Sequence, residues 1–244
     1  MIPAAPAERA PAASLIISGA ELTALLELAR GAGGEAAAAR SLAGLTAAGG
    51  VADGAPAGVL AEGIAALTAP VCELELQRGD RRGRGGIGER FATLVVPAAE
   101  DAGYRLIIVT TAFLPDVLSR LNDVSPRPRL APGLLLRYAQ GDLARILAGR
   151  DAALAAALAG DDDAARAATE LIEGLLEHWR VDACWAPAAG GRARRAVEVL
   201  DTDHGLWRVV PDGAAVELRS TTPTQVFRAL VGLLPSDAEV ASGR

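Results

Sequence analysis

The chain contains no lysine; all 24 of its basic residues are arginine. Two histidines, two cysteines and one methionine complete a thin inventory of reactive side chains, and aromatic residues make up 3% of the 244 positions. Each scarcity excludes something. Cys72 and Cys184 are too few for a disulfide framework, and both fall in strands expected to be buried, as small core residues. His178 and His204 with two such cysteines leave little for a zinc site or an activated nucleophile. H-E-x-x-H, G-x-S-x-G, C-x-x-C and Walker patterns do not occur. No catalytic residue, metal ligand or cofactor is therefore assigned, although no spacing rule would expose an acid/base carboxylate pair. No apolar run approaches the roughly 20 residues a bilayer-crossing helix needs. Residues 1–13 have no basic start followed by an apolar core, so no signal peptide is expected and the expected compartment is the cytoplasm. With 51% hydrophobic residues, the core must be built from Ala, Leu and Val. A net charge of −6 argues against a generic nucleic-acid surface.

What is present is organised around residues 194–235. Val197 and Val199 alternate with charged residues, and Asp203-His204-Gly205 breaks the run. Trp207, Val209 and Val210 resume it, Pro211-Asp212-Gly213 breaks it again, and Val216 and Leu218 mark a third strand. Thr222 then supplies an N-cap, Pro223 a first helical residue and Gln225 the third position of a capping box. Val226, Phe227, Leu230, Leu233 and Leu234 follow at helical spacing up to Pro235.

Residues 104–126 echo this ending at an offset of 109, which lays Val117 on Val226, Leu118 on Phe227 and Leu121 on Leu230. A second echo links the corner at Ala20-Glu21-Leu22 and Leu25-Leu26 to Gly141-Asp142-Leu143 and Ile146-Leu147. The expected fold is α/β of the α+β type. It has a largely antiparallel central sheet, two helical subdomains and pseudo-twofold duplicated halves. Half 1 spans 14–124, a stiff proline-rich linker 125–132, and half 2 133–235. Tails at 1–13 and 236–244 are expected to be disordered and frayed.

Within half 1, Ser18 and Glu21 predict a capped helix, residues 35–48 an alanine-rich second and 56–68 a third. Strands are expected at 71–77, 91–97 and 104–110, with a glycine- and arginine-rich loop over 78–90. In half 2, a strand at 133–139 leads to helices, the last a long one opened by Asp161–Asp163 and continuing past His178 and Trp179. A strand at 181–186 then places Cys184 where half 1 has Cys72.

Three stretches invite a chemical reading. Gly83-Arg84-Gly85-Gly86-Ile87-Gly88 spells G-x-G-x-x-G, but it leads into a strand, not into the helix whose N-terminus would hold a pyrophosphate. A nucleotide-binding or enzymatic role for residues 83–88 stays as the alternative. Asp201, Asp203 and His204 suit ordinary turn chemistry better than a metal site. Arg78, Arg81, Arg82 and Arg84 make the loop basic, with Glu89 opposing and Ile87 its only large apolar side chain. That loop is either a solvated tip or a partner-binding loop anchored by Ile87. The lack of aromatic residues in it weakens any case for single-stranded nucleic acid.

Helices followed by VCELELQ, and a meander closing in LPDVLSRLNDVSP, resemble the first half of the EspG family, chaperones of actinobacterial type VII (ESX) secretion. Asp201-Thr202, Gly205, Trp207-Arg208-Val209 and Thr222-Pro223 before a Leu-rich helix are similar to that family's C-terminal pattern. The resemblance spans roughly residues 14–235. It implies a non-enzymatic cytosolic chaperone that binds the helical tip of a PE–PPE-like pair. The contacts it implies are the loop at 78–90 and helices between 142 and 178. The glycine- and arginine-rich loop departs from the family's more regular strand there. A self-assembling structural protein, and with it a homodimer, is a further alternative.

Overall fold

The computed structural model describes residues 13–30, 42, 43, 45, 50–52, 55–98, 103–127, 134–187, 189–236 and 238–240. The expected tail before Ala13, the expected helix over most of 35–48, the linker beyond Arg127 and the last four residues lie outside this set. Strand β1 (Ala13–Ser18) leads into α1 (Gly19–Ala29). A small ladder, β2 (Val51–Ala52) with β3 (Ala55–Pro56), precedes α2 (Gly58–Thr68). The meander β4 (Cys72–Arg78), β5 (Arg81–Ile87), β6 (Phe91–Pro97) and β7 (Gly103–Thr110) ends in a short 3-10 turn and α3 (Leu114–Leu121).

Half 2 repeats the plan. β8 (Leu135–Ala139) enters α4 (Gln140–Gly149), followed by α5 (Ala152–Leu158) and α6 (Asp162–Glu173). Then come β9 (Leu175–Trp185), β10 (Ala193–Thr202), β11 (Gly205–Asp212), β12 (Ala215–Thr221) and α7 (Pro223–Val231).

Ten strands form one antiparallel sheet in the order β1-β7-β6-β5-β4-β9-β10-β11-β12-β8. The order reads the same from either end once halves are exchanged, so the pseudo-twofold axis passes between β4 and β9. The expected α+β fold with duplicated halves is what forms. Both expected capping boxes are present, Ser18 with Glu21 and Thr222 with Gln225. The corner echo holds in three dimensions: Leu22 and Leu25 are buried on α1 as Leu143 and Ile146 are on α4.

One sheet face carries α3 and α7, packed over Leu74, Leu94, Val181, Val199 and the buried rings of Trp179 and Trp185. The other face carries a helical layer at each flank. One covers Ile17, Val95, Leu106 and Ile108; the other covers Leu200, Trp207, Val209 and Leu218.

Four expectations need correction. Residues 81–87 are a strand paired on both sides, not a loop. Glycine's weak strand propensity is overridden by close packing: a Cβ on Gly86 would stand 1.9 Å from the Ala66 carbonyl oxygen, so only glycine lets α2 settle there. The last long helix stops at Glu173, and His178 and Trp179 lie in β9. Leu171, Leu175 and Trp179 fit a helical stripe, but from Trp179 onward burial falls on 179, 181, 183 and 185, the period of a strand. The C-terminal echo has an offset of 112, not 109: buried Leu114 and Leu118 answer to buried Val226 and Leu230, whereas Phe227 is 38% exposed. Cys184 is not the counterpart of Cys72 but its diagonal neighbour, with Glu73 opposite Cys184 and Trp185 opposite Cys72.

Ser236 donates to Glu239 through its amide at 3.0 Å and its hydroxyl at 2.9 Å, and Val240 bridges to Pro187.

Gly86→Ala should lower unfolding stability by about 3 kcal/mol through forced displacement of α2. Gly141, where an added Cβ would find nothing within 4 Å, should tolerate alanine to within about 1 kcal/mol. Urea denaturation of both variants checks the pair, and equal stability for the two would contradict the packing argument.

Candidate partner-binding site

The hairpin β4–β5 turns at Gly79-Asp80, where Gly79 takes a positive φ of 57° and donates its amide to the His178 carbonyl at 2.8 Å. Arg78 stands directly across from Arg81. Its Nε donates to Glu177 at 3.2 Å and its Nη1 to the Leu121 carbonyl at 2.7 Å. Alternation puts Arg78 and Arg81 on the same face as Leu74 and Leu76, and Arg82 and Arg84 on the opposite face. Ile87 is 6% exposed and packs into the core under α3 and α7, so it cannot anchor a partner in this conformation. Glu89 lies in the β5–β6 turn, roughly 25 Å along the strand from Arg81. The six residues singled out in sequence are therefore not one loop: four flank one end of β5, and the other two belong to its far end.

The turn Gly79-Asp80 instead joins half 2. It borders a cavity of about 660 Å³ under α4. Leu143, Ala144, Leu147 and Ala148 of α4 supply one wall, and Val209, Pro211 and Val216 continue the apolar lining. Glu177, His178, Arg180 and Glu198 supply the polar side. Thus the hairpin region and the helices between 142 and 178, both expected to matter, meet at one cavity. A volume of this size with apolar walls and a few fixed polar groups suits a binding site.

The polar side is a network set by strand register. Glu198 stands opposite Arg180 across β9–β10, and Ala196 opposite Asp182. His178 Nε2 lies 3.0 Å from Glu198 Oε1, and Arg180 Nη1 donates to Glu198 Oε2 at 2.6 Å. Arg180 also makes a forked pair with Asp182, at 2.7 and 2.9 Å, and Arg194 Nε donates to Asp182 at 2.8 Å. Burial by itself would raise the Asp182 carboxyl, but hydrogen bonds from Arg180 and Arg194 outweigh it and hold it below the usual range. Glu198 is likewise held low: burial opposes, and His178 and Arg180 prevail. Nothing in the order of residues signals this network directly, because charges on β9 and β10 become partners only once register is known.

Asp201 serves structure. It is buried and accepts a forked pair from Arg127 at 3.0 and 2.8 Å, which ties the start of the linker to β10. Thr202 Oγ1 donates to the Gly205 carbonyl at 2.8 Å and accepts its amide at 3.0 Å, the turn chemistry expected of this segment. Among the described residues no group of three or more His, Cys, Asp or Glu is placed to hold a metal. Residues 83–87 belong to β5, and their amides and carbonyls face paired strands on either side, so the glycines form no phosphate cradle. No helix among the described residues is long and apolar enough to cross a membrane.

A continuous sheet of two like halves, each bearing its own helical layer, defines an EspG-like fold. The chain is similar in structure to the type VII secretion chaperone EspG5 of Mycobacterium tuberculosis, solved in complex with a PE25–PPE41 dimer. The TM-score is 0.64 and the identity 13%, over 94% of this chain and 100% of that one. At that identity the likeness establishes the fold. DNA polymerase III β subunit and sliding clamp structures from Pseudomonas aeruginosa match at TM-scores of 0.12 and 0.14 and identities of 16% and 14%, over 62% and 94% of this chain and 57% and 69% of those. No protein-family model and no curated protein sequence matches the chain.

Because the Asp182 and Glu198 carboxyls are depressed in the folded state, their contribution is present above the unfolded-state values near 4 and is lost as pH falls through the lower folded ones. Asp182→Asn should therefore cost about 2 kcal/mol at pH 7. The gap from wild type should narrow below pH 4. Urea midpoints at pH 7 and pH 3 measure both, and a gap independent of pH would refute the assignment.

Proposed function

We propose that this protein is a non-enzymatic, cytoplasmic chaperone of the type VII secretion kind. On this reading it receives the helical end of a secreted PE–PPE-like pair in the cavity under α4 and keeps it soluble before export. The observation that carries the reading is the EspG-like fold, whose solved relative EspG5 was captured holding a PE25–PPE41 dimer. The joint bordering of one cavity by the hairpin turn and α4 supports it.

The apolar walls suit the buried side of a helical tip, and the charged side fixes its orientation through partners that are already paired and preorganised. Arg82 and Arg84, exposed on the cavity-bearing face of the sheet, attract acidic groups of the partner as it approaches. Arg78 and Arg81 at the hairpin tip, with Glu89 at the far end of β5, complete the proposed contact set. Ile87 drops out of it because of its burial. This role needs no catalytic residue and no cofactor.

The test is co-purification and calorimetric titration with candidate PE–PPE pairs. Wild type should form a stoichiometric complex. Leu147→Arg, which puts a charge on the apolar wall, should abolish it while thermal stability stays near wild type. Arg82→Glu with Arg84→Glu should weaken binding about tenfold and flatten its salt dependence. Failure of every such pair to bind, with self-association as the only assembly, would support a self-assembling structural protein instead.

A further inference from the structure

A second cavity lies on the other face of the sheet, at the end of α3. It measures about 160 Å³ and is bordered by Arg78, Arg81, Arg82 and Arg105. Alternation puts Arg78, Arg81 and Arg105 on this face, around a space equal to about five water molecules at roughly 30 Å³ each; Arg82 borders the cavity from a position on the opposite face of β5. Leu76, Val96, Pro97 and Leu121 give it apolar sides.

The strand register explains the assembly. Arg78 and Arg81 face each other across β4–β5, and Gly83, Val96 and Arg105 lie in one row across β5, β6 and β7. Gly83, at the β5 end of that row, carries no side chain, and a Cβ there would meet Val96 at 2.9 Å. Arg78 is fixed by Glu177 and the Leu121 carbonyl.

Arg81, Arg82 and Arg105 are exposed and have no ion-pair partner among the described residues. Elsewhere, Arg90, Arg120, Arg137 and Arg145 each stand beside a carboxylate. In a chain of net charge −6, this is a local concentration of uncompensated positive charge. Like charges directly across a ladder are unfavourable on their own. On the α3 face a single carboxylate would offset only one of Arg81 and Arg105, whereas a doubly charged oxyanion can be shared among forked donors.

We propose that the cavity among Arg78, Arg81 and Arg105 is a binding site for a phosphate-class oxyanion, supplied either as the free ion or on a small phosphomonoester. The site is separate in place from the partner cavity, on the opposite sheet face; Arg78 and Arg81 belong to both proposed sets, and Arg105 to this one alone.

The experiment is calorimetric titration of the full chain with inorganic phosphate at constant ionic strength, alongside thermal melts. Wild type should show one saturable site and a melting temperature that rises with phosphate. Arg105→Ala should weaken phosphate binding about tenfold, and Arg228→Ala, an exposed arginine on α7, should leave it unchanged. Glycerol 2-phosphate in place of phosphate separates the sources: equal or tighter binding assigns a phosphomonoester, and weaker binding assigns the free ion. Absence of saturable binding in the millimolar range, or equal affinity in wild type and Arg105→Ala, would overturn the proposal. Loss of PE–PPE binding would not bear on it.

Discussion

The backbone pairing of β4 with β9 is the interaction on which the rest of the molecule depends. From Cys72 opposite Trp185 to Arg78 opposite Trp179, it is the only ladder among the described residues that joins the two halves in the ten-stranded sheet. Without it each half would present a central strand as an open edge, rich in unpaired amides and prone to wrong pairing. With it, Leu74, Leu76, Val181 and Ala183 come together beneath α3 and α7 as one core. That core also buries Trp179 and Trp185, which would otherwise stand exposed along an edge.

The same pairing builds the candidate site from both halves. Because β4 and β9 run antiparallel, the turn after β4 in half 1 arrives beside the beginning of β9 in half 2. Gly79 bonds there to the His178 carbonyl, and Arg78 to Glu177. The Gly79-Asp80 turn therefore borders a cavity whose remaining walls all come from half 2. Two similar halves need not make two similar sites. The ladder across β9 and β10 carries Arg180 opposite Glu198, whereas the corresponding ladder across β4 and β5 carries Glu75 opposite Arg84. Exchanged charges leave a paired, preorganised network in half 2 and exposed arginine on β5 of half 1.

Much of this architecture was legible in the residues themselves. Capping boxes at Ser18 and Thr222 mark helix starts by local chemistry alone, and the turns at Asp203-His204 and Asp212-Gly213 interrupt clean alternation. Duplication showed through because both halves bury residues at like positions on α1 and α4. What sequence hid was long-range. Glycines in β5 look like a loop until α2 is seen resting on Gly86. Leu171 to Trp179 satisfies a helical period up to the point where Gly174 ends the helix and the sheet claims the rest. The arginines of 78–84 drew attention as a basic stretch, but their division between two sheet faces, and the burial of Ile87, depend on a strand that periodicity did not reveal. The Arg180–Asp182–Arg194 cluster could not be read at all without the register of β9 against β10.

Amide hydrogen exchange across the seam is the most direct measurement of the claim that β4–β9 pairing holds the halves as one unit. The backbone amides of 73–77 and 179–184 should be among the slowest in the chain. They should exchange together, with a free energy equal to that of global unfolding from urea titration. Exchange of β4 amides through a lower-energy opening that leaves β9 and β10 protected would contradict it, because the halves would then be separately stable units and the site between them a secondary contact.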